Sequence, residues 1–210
     1  HEKYGESHAE VNAINSVKDK RLLKDSTLYV NLEPCNHYGK TPPCTEAIIN
    51  NNIKKVVIGS QDPNKLVNGS GIEKLRSSGC NVSVGIMNKE CDKLNKRFFT
   101  YHKLKRPFII LKWAETKDGF ISPTKSVNTL KKVNWISGED AKKLSHKWRS
   151  EEHSILVGVQ TIIDDDPILT TRFVEGRSPI RFVLDPNSRI PLDSRICLLY
   201  TSDAADEVSC

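Results

Sequence analysis

Short β-rich runs alternate with helical stretches through the first half of the chain, and this alternation constrains the fold more than any other feature. STLYVNL (26–32), KKVVIGSQDPN (54–64) and CNVSVGI (80–86) are rich in Val, Ile, Tyr and Thr and read as strands, two of them closed by turn residues. Between them, CTEAIINNN follows Pro43 as a helix start, and GIEKLRSSG (71–79) reads as a short helix with Gly79 at its C-terminal cap. HAEVNAINSVKDKRLLKD (8–25) reads as a helix, with Ala9, Ala13, Ile14, Val17 and Leu22 mostly at helical spacing. Strands separated by helices pair in parallel through crossovers, so the expected product is an α/β layer with a parallel-rich sheet.

The same logic restarts near RPFIILKWAETKDGFIS (106–122), read as a strand and turn. A helix at 137–150 and the strands HSILVGV (153–159) and PIRFVLD (179–185) follow. The basic stretch KLNKRFFTYHKLKR (93–106) reads as the connection. Two α/β domains are therefore expected, 1–104 and 105–196, which suits a chain of 210 residues. The remainder, 197–210, contains CLLYTSDAADE, which resembles a conceptual translation of a sequencing-library adapter. That tail is expected to be an artefact that cuts the second domain short; the alternative is a genuine Asp/Ala-rich helix. The chain opens at His1 without an initiator Met, and a fragment lacking its first strand and helix is expected.

Hydrophobic residues make up 37% and charged residues 28%, enough apolar material for packed cores. No run of about 18 apolar residues is present, so no membrane span is expected. The net charge of +6 suits an anionic partner such as a phosphate ester or a nucleic acid, although the lysines are scattered as on a solvated surface. Six cysteines show no regular framework and no secretory signal is visible, so a reduced, cytoplasmic setting is expected, in which paired thiols point to metal or catalysis.

Such a pair brackets a stiff polar loop in LEPCNHYGKTPPC, at Cys35 and Cys44. His8 of the upstream HAE adds an imidazole. One imidazole and two thiolates are a zinc set with one position open, where water can bind and lose a proton near neutral pH. His37 is the rival fourth ligand that would make the site structural. Cys44, in the first turn of a helix, is expected to favour thiolate over thiol. Glu10 is the candidate proton carrier, with a plain first-turn carboxylate as the alternative.

H-x-E followed by P-C and a second Cys is the signature of zinc nucleobase deaminases, here with eight residues between the cysteines rather than two. With DPN and VNGSGI downstream, residues 1–196 closely resemble the bifunctional riboflavin-biosynthesis deaminase–reductase family. The resemblance implies a cytidine-deaminase-like three-layer domain followed by a truncated dihydrofolate-reductase-like domain. It implies zinc on His8, Cys35 and Cys44, Glu10 as proton shuttle, and substrate contacts from His1, His37 and Lys40. The implied substrate is a diaminopyrimidinone with a ribosylamino 5′-phosphate.

LKWAETKDGFIS, WIS (135–137), SILVGVQTIIDDDPILTTR (154–172) and RFVLDPNSRIP (181–191) resemble the family's reductase half. Lys117 departs from the family pattern before Asp118. The resemblance implies an NADPH site at Ala114, Trp135, Thr161 and Asp165 and substrate contacts at Arg149, Leu169 and Arg172. The family's later Glu-Gly-Gly segment is not present in this sequence, and weak NADPH binding by the chain is expected. No G-x-G-x-x-G supports a Rossmann domain. The family further implies a homo-oligomer at full length, a small phosphorylated pyrimidine as partner, and neither nucleic acid nor membrane. A nucleic-acid or nucleoside deaminase with the same zinc site, and a non-enzymatic zinc module, remain the other readings of these residues.

Overall fold

The computed structural model describes residues 5–65, 67–121 and 136–202. The chain divides into two compact units, residues 1–110 and 111–210.

The first unit is a parallel sheet of β1 (Thr27–Leu32), β2 (Lys55–Ser60) and β3 (Asn81–Val84), in the order β1-β2-β3. Helix α2 (Cys44–Asn50) crosses from β1 to β2, and α3 (Ser70–Ser77) from β2 to β3. Alternation along β2 separates its faces. Val56 and Ile58 are buried with Ile14, Ile48, Ile72 and Leu75, so α1 (Ala9–Ser16), α2 and α3 cover one face. Gly59 points the other way, where a Cβ would overlap Cys91 of α4 (Asn88–Leu94). A sheet between helical layers results, as the sequence implies. The connection at 93–106 is itself largely helical, formed by the end of α4 and by α5 (Lys96–Leu104).

The expected helix over 8–25 is broken. Helix α1 stops at Ser16, Val17 turns extended, and a 3₁₀ turn occupies Lys20–Asp25. The Asp19 side chain accepts from the Arg21 N–H, so a new cap replaces helix continuation. Gly79, just past α3, takes φ +82°, the left-handed turn expected of it.

In the second unit, α6 (Glu139–Glu151) leads into β4 (Ser154–Gly158), which pairs in parallel with β5 (Ile180–Leu184) across α7 (Val159–Asp165). Ile162, Leu169 and Ile196 form the core against Ile155, Val157 and Val183. Leu156, Ile180, Phe182 and Leu184 lie on the other face and are exposed. Strands apolar on both faces belong to sheets covered on both sides.

Two expectations change here. No strand forms among the described residues of 106–122, because a strand exists only as one side of a ladder and none of them pairs. The turn does form: Gly119 at φ +85° donates to the Thr116 carbonyl. Helix α8 (Arg195–Ser202) runs through residue 197, with Ile196 buried, so the expected boundary falls inside a helix. No helix of the described residues is long and apolar enough to cross a membrane.

Candidate metal centre

Three chain segments meet beyond the carboxyl end of β1, where parallel sheets place their ligands. His8 is the cap residue of α1. Pro34-Cys35 leaves β1 directly, and Cys44 is the first residue of α2. The His8 Nδ1 lies 3.5 Å from the Cys35 Sγ and 3.3 Å from the Cys44 Sγ. All three ligand atoms fall within 4.8 Å of one another. A tetrahedral zinc, with bonds of about 2.1 Å to nitrogen and 2.3 Å to sulfur, has ligand–ligand edges of about 3.6 Å. The donor set and its spacing fit zinc. Among the described residues no fourth His, Cys, Asp or Glu atom joins the group, His37 included.

The loop between the cysteines is held closed at its ends. The Cys44 N–H donates to the Cys35 Sγ at 3.4 Å, and the Thr45 N–H to the Cys35 carbonyl at 3.2 Å. The Thr45 hydroxyl donates to Asn36 Oδ1 at 2.9 Å, and Tyr38 closes the far side by donating to Glu46. This preorganisation lowers the ordering cost of gathering two thiolates around one cation.

Cys44 runs opposite to the expectation. The Cys44 hydrogen bond lowers Cys35 to about 6, against the effect of burial and with help from the Cys44 N–H and the His8 charge. Cys44 is raised, first by that same hydrogen bond, then by burial and by the Glu10 carboxyl. Of the two, Cys35 is the thiol more readily deprotonated. A two-turn helix exerts too little field on Cys44 to reverse this; a bound cation would ionise both.

Glu10, in the first turn of α1, reaches the Cys44 thiol as a hydrogen-bonding partner. A cavity of about 170 Å³ opens over the other two ligands, lined by Gly5, His8, Cys35, His37, Lys40 and Thr41. It leaves room for an exchangeable fourth ligand. His8, Glu10, Cys35, His37, Lys40 and Cys44 are thus gathered at one place. His1 lies outside the described residues.

Three residues outside the sequence-derived set support the site. Asn36 bridges the loop to α3 by donating to the Ser70 carbonyl at 3.4 Å. Asp62, from DPN, is raised by burial, opposed by the Asn64 N–H and by the charges of His102 and His37. Glu33 is buried and, among the described residues, accepts from backbone N–H groups. A Glu before Pro at a strand end carries no sequence signal of such a role; DPN, already visible as a turn, was the available clue to Asp62.

In the second unit, the Arg149 Nη1 donates to the Thr170 carbonyl at 2.7 Å and the Arg172 Nη1 to the Thr170 hydroxyl at 3.2 Å. Both guanidinium groups therefore gather on one residue. The Arg149 Nε is buried and, among the described residues, without a hydrogen-bond partner. Leu169, expected at a substrate site, is a buried core residue held at φ +59°, a conformation costly for leucine. Thr161 and Asp165 share one face of α7, Ala114 is half-buried in the 111–121 segment, and Trp135 lies outside the described residues.

His146 packs beneath the arginines. Its Nδ1 accepts the Arg172 N–H at 3.1 Å, which requires the neutral ring. Burial, then Arg149, Arg172, Lys142 and Lys112, push it down from 6.5 to about 4. The unfolded chain therefore takes up a proton before the folded unit does. The second unit should hold its stability above pH 6.5 and lose it between 6.5 and about 4, and His146→Gln should flatten that slope in melts followed against pH.

Residues 1–60 match the family model described as the cytidine and deoxycytidylate deaminase zinc-binding region, and residues 107–208 match the RibD C-terminal domain. "Riboflavin biosynthesis protein RibD" of Aquifex aeolicus is 47% identical over 205 residues, 97% of this chain and 55% of that protein. "Diaminohydroxyphosphoribosylamino-pyrimidine deaminase" of Buchnera aphidicola is 56% identical over 99 residues, 47% of this chain and 66% of that protein. A solved diaminohydroxyphosphoribosylaminopyrimidine deaminase/5-amino-6-(5-phosphoribosylamino)uracil reductase from Thermotoga maritima superposes with a TM-score of 0.79 at 41% identity, covering 90% of this chain and 52% of its own. The chain spans about half the length of the RibD relatives it matches.

Proposed function

We propose, for a chain that belongs to the RibD family of riboflavin-biosynthesis proteins, that its first domain is a zinc-dependent pyrimidine deaminase and its second part of an NADPH-dependent reductase. The observation that carries the reading is the convergence of His8, Cys35 and Cys44 with Glu10 beside them and a cavity above. The proposed substrate is 2,5-diamino-6-ribosylamino-4(3H)-pyrimidinone 5′-phosphate, and its deaminated product is the substrate whose ribose the reductase converts to a ribityl chain.

His8, Cys35 and Cys44 would hold zinc, which when bound supplies Lewis-acid activation of water. Glu10 would accept a proton from the attacking water and return it to the departing amine, so that hydrolysis releases ammonia with no net proton consumed by the carboxyl. His37 and Lys40 line the cavity and are suited to the ring and to the phosphate respectively. In the second domain, Arg149 and Arg172 converge on Thr170, and the unpartnered Arg149 Nε is a donor suited to a phosphate oxygen. NADPH would meet Ala114, Thr161, Asp165 and Trp135, and His1 would complete the deaminase pocket. A homo-oligomeric, cytoplasmic enzyme that takes a small phosphorylated pyrimidine, and neither nucleic acid nor membrane, completes the proposal.

The test is ammonia release from that diaminopyrimidine phosphate by the full-length protein carrying this sequence, with zinc counted in the same sample. One zinc per chain and stoichiometric ammonia are expected. Zinc without ammonia from this compound, but with ammonia from cytidine or single-stranded nucleic acid, would move the site to another nucleobase substrate.

A further inference from the structure

We propose that Glu33 is a positioning residue that holds the 62–72 segment in place beside the zinc loop, and so shapes the substrate side of the pocket without touching the metal. The inference rests on the deaminase reading above.

Glu33 directly follows β1, two residues before Cys35, and is buried, with 3% of the residue exposed. Among the described residues no lysine or arginine is ion-paired with it. Its partners are four backbone N–H groups. Oε2 accepts from Asp62 at 3.1 Å and Gly69 at 2.9 Å; Oε1 accepts from Gly71 at 2.9 Å and Ile72 at 3.2 Å. These donors span both ends of the loop that links β2 to α3. Two of them, Gly71 and Ile72, belong to the first turn of α3, whose N–H groups have no partners within the helix. One carboxylate therefore closes the loop and caps the helix.

The fit tolerates little change. A Cβ on Gly71 would overlap the Pro34 carbonyl, and Gly69 takes φ +93°. Asn36 adds a parallel tie to the Ser70 carbonyl. The loop so fixed carries Asp62, which interacts with His37 through space, and His37 lines the cavity. By its hydrogen bonds to the backbone at 62, 69, 71 and 72, Glu33 fixes the place of Asp62, whose carboxyl feels the charge of His37 on the pocket wall. None of these interactions passes through His8, Cys44 or Glu10.

A carboxylate is the group this task requires. Four convergent donors need four lone pairs and no competing hydrogen, which an ionised carboxylate offers and an amide does not. In Glu33→Gln the amide NH₂ would face one of the two N–H pairs.

The test is Glu33→Gln, with Glu33→Asp as the milder change, in the full-length protein. Zinc should remain at one per chain in both. Amide exchange at residues 62, 69, 71 and 72 should accelerate relative to β2. In Glu33→Gln, KM for the diaminopyrimidine phosphate should rise about tenfold or more while kcat changes less than about threefold, the pattern of lost binding rather than lost chemistry. Loss of zinc or of the fold in both variants would overturn the proposal, because the carboxylate would then hold the metal site itself. Unchanged exchange at those amides, or an unchanged KM, would overturn it equally. A parent protein that releases no ammonia would sink the deaminase reading, whereas the exchange measurement would still decide the clamp.

Discussion

Glu10→Gln is expected to keep one zinc per chain and to lower deamination by about 10²–10⁴-fold, the range spanned by removal of a positioned general acid–base. Gln keeps the volume and one acceptor oxygen, so the first turn of α1 and the position of His8 at its cap have no reason to move. What is lost is a group that can accept a proton and give it back. The kcat for ammonia release should carry the loss and KM should change little, because Glu10 acts on the reacting water and amine rather than on the ring or phosphate. The metal count, read on the same preparation, separates this from a folding defect. Parent-like kcat at full zinc would mean that the Glu10 contact to Cys44 is structural and that the proton travels by another group.

The comparison with Glu33→Gln sharpens the point. Both residues are carboxylates near one metal centre, yet one should move kcat and the other KM. Glu10 sits in the open first turn of α1, half-buried and next to a ligand sulfur. Glu33 is enclosed by backbone donors and offers nothing to a substrate. Environment, not residue type, assigns the role.

How much of this was legible in the sequence follows from which interactions are local. His8, Glu10, Cys35 and Cys44 were readable because zinc demands particular ligand atoms, and few residues supply them. The alternation of β1, α2, β2, α3 and β3 was readable because each element announces itself by periodicity and by its turn residues. Glu33 was not readable: its donors lie 29 to 39 positions downstream, and backbone N–H groups leave no trace in a sequence. The break at Val17 was missed for a local reason. The apolar spacing continues through Leu22, but Asp19 offers the backbone a better cap than another helical turn would. The raised Cys44 and lowered Cys35 depend on a hydrogen bond across nine positions of chain, which outweighs the helix end that the sequence did show. Leu169 is legible as a substrate position only through the resemblance, and its side chain lies in a core.

Cys44→Ser should abolish metal binding rather than only activity. Cys44 is fully buried at the head of α2 and supplies one of three ligands, so its loss leaves an imidazole and one thiolate, two donors for a cation that wants four. Zinc content should fall from about one to below about a tenth per chain after dialysis, because metal affinity and site assembly are one free energy. Binding to the native state alone also stabilises it, by about 4 kcal/mol at a free metal level a thousand times the dissociation constant. The parent's melting transition should therefore drop on treatment with a chelator, and that of Cys44→Ser should not respond. The serine hydroxyl can still donate toward the Cys35 sulfur, and the apolar body of α2, from Ala47 to Ile49, is untouched, so the variant should fold around the Ile48 and Ile58 core. A Cys44→Ser protein that keeps one zinc would transfer the third ligand to another residue, with His37 the first to test. A parent whose melting ignores the chelator would mean that the site is preformed by its own hydrogen bonds, held by the Cys44 and Thr45 contacts to Cys35 and Asn36, and that the metal only occupies it.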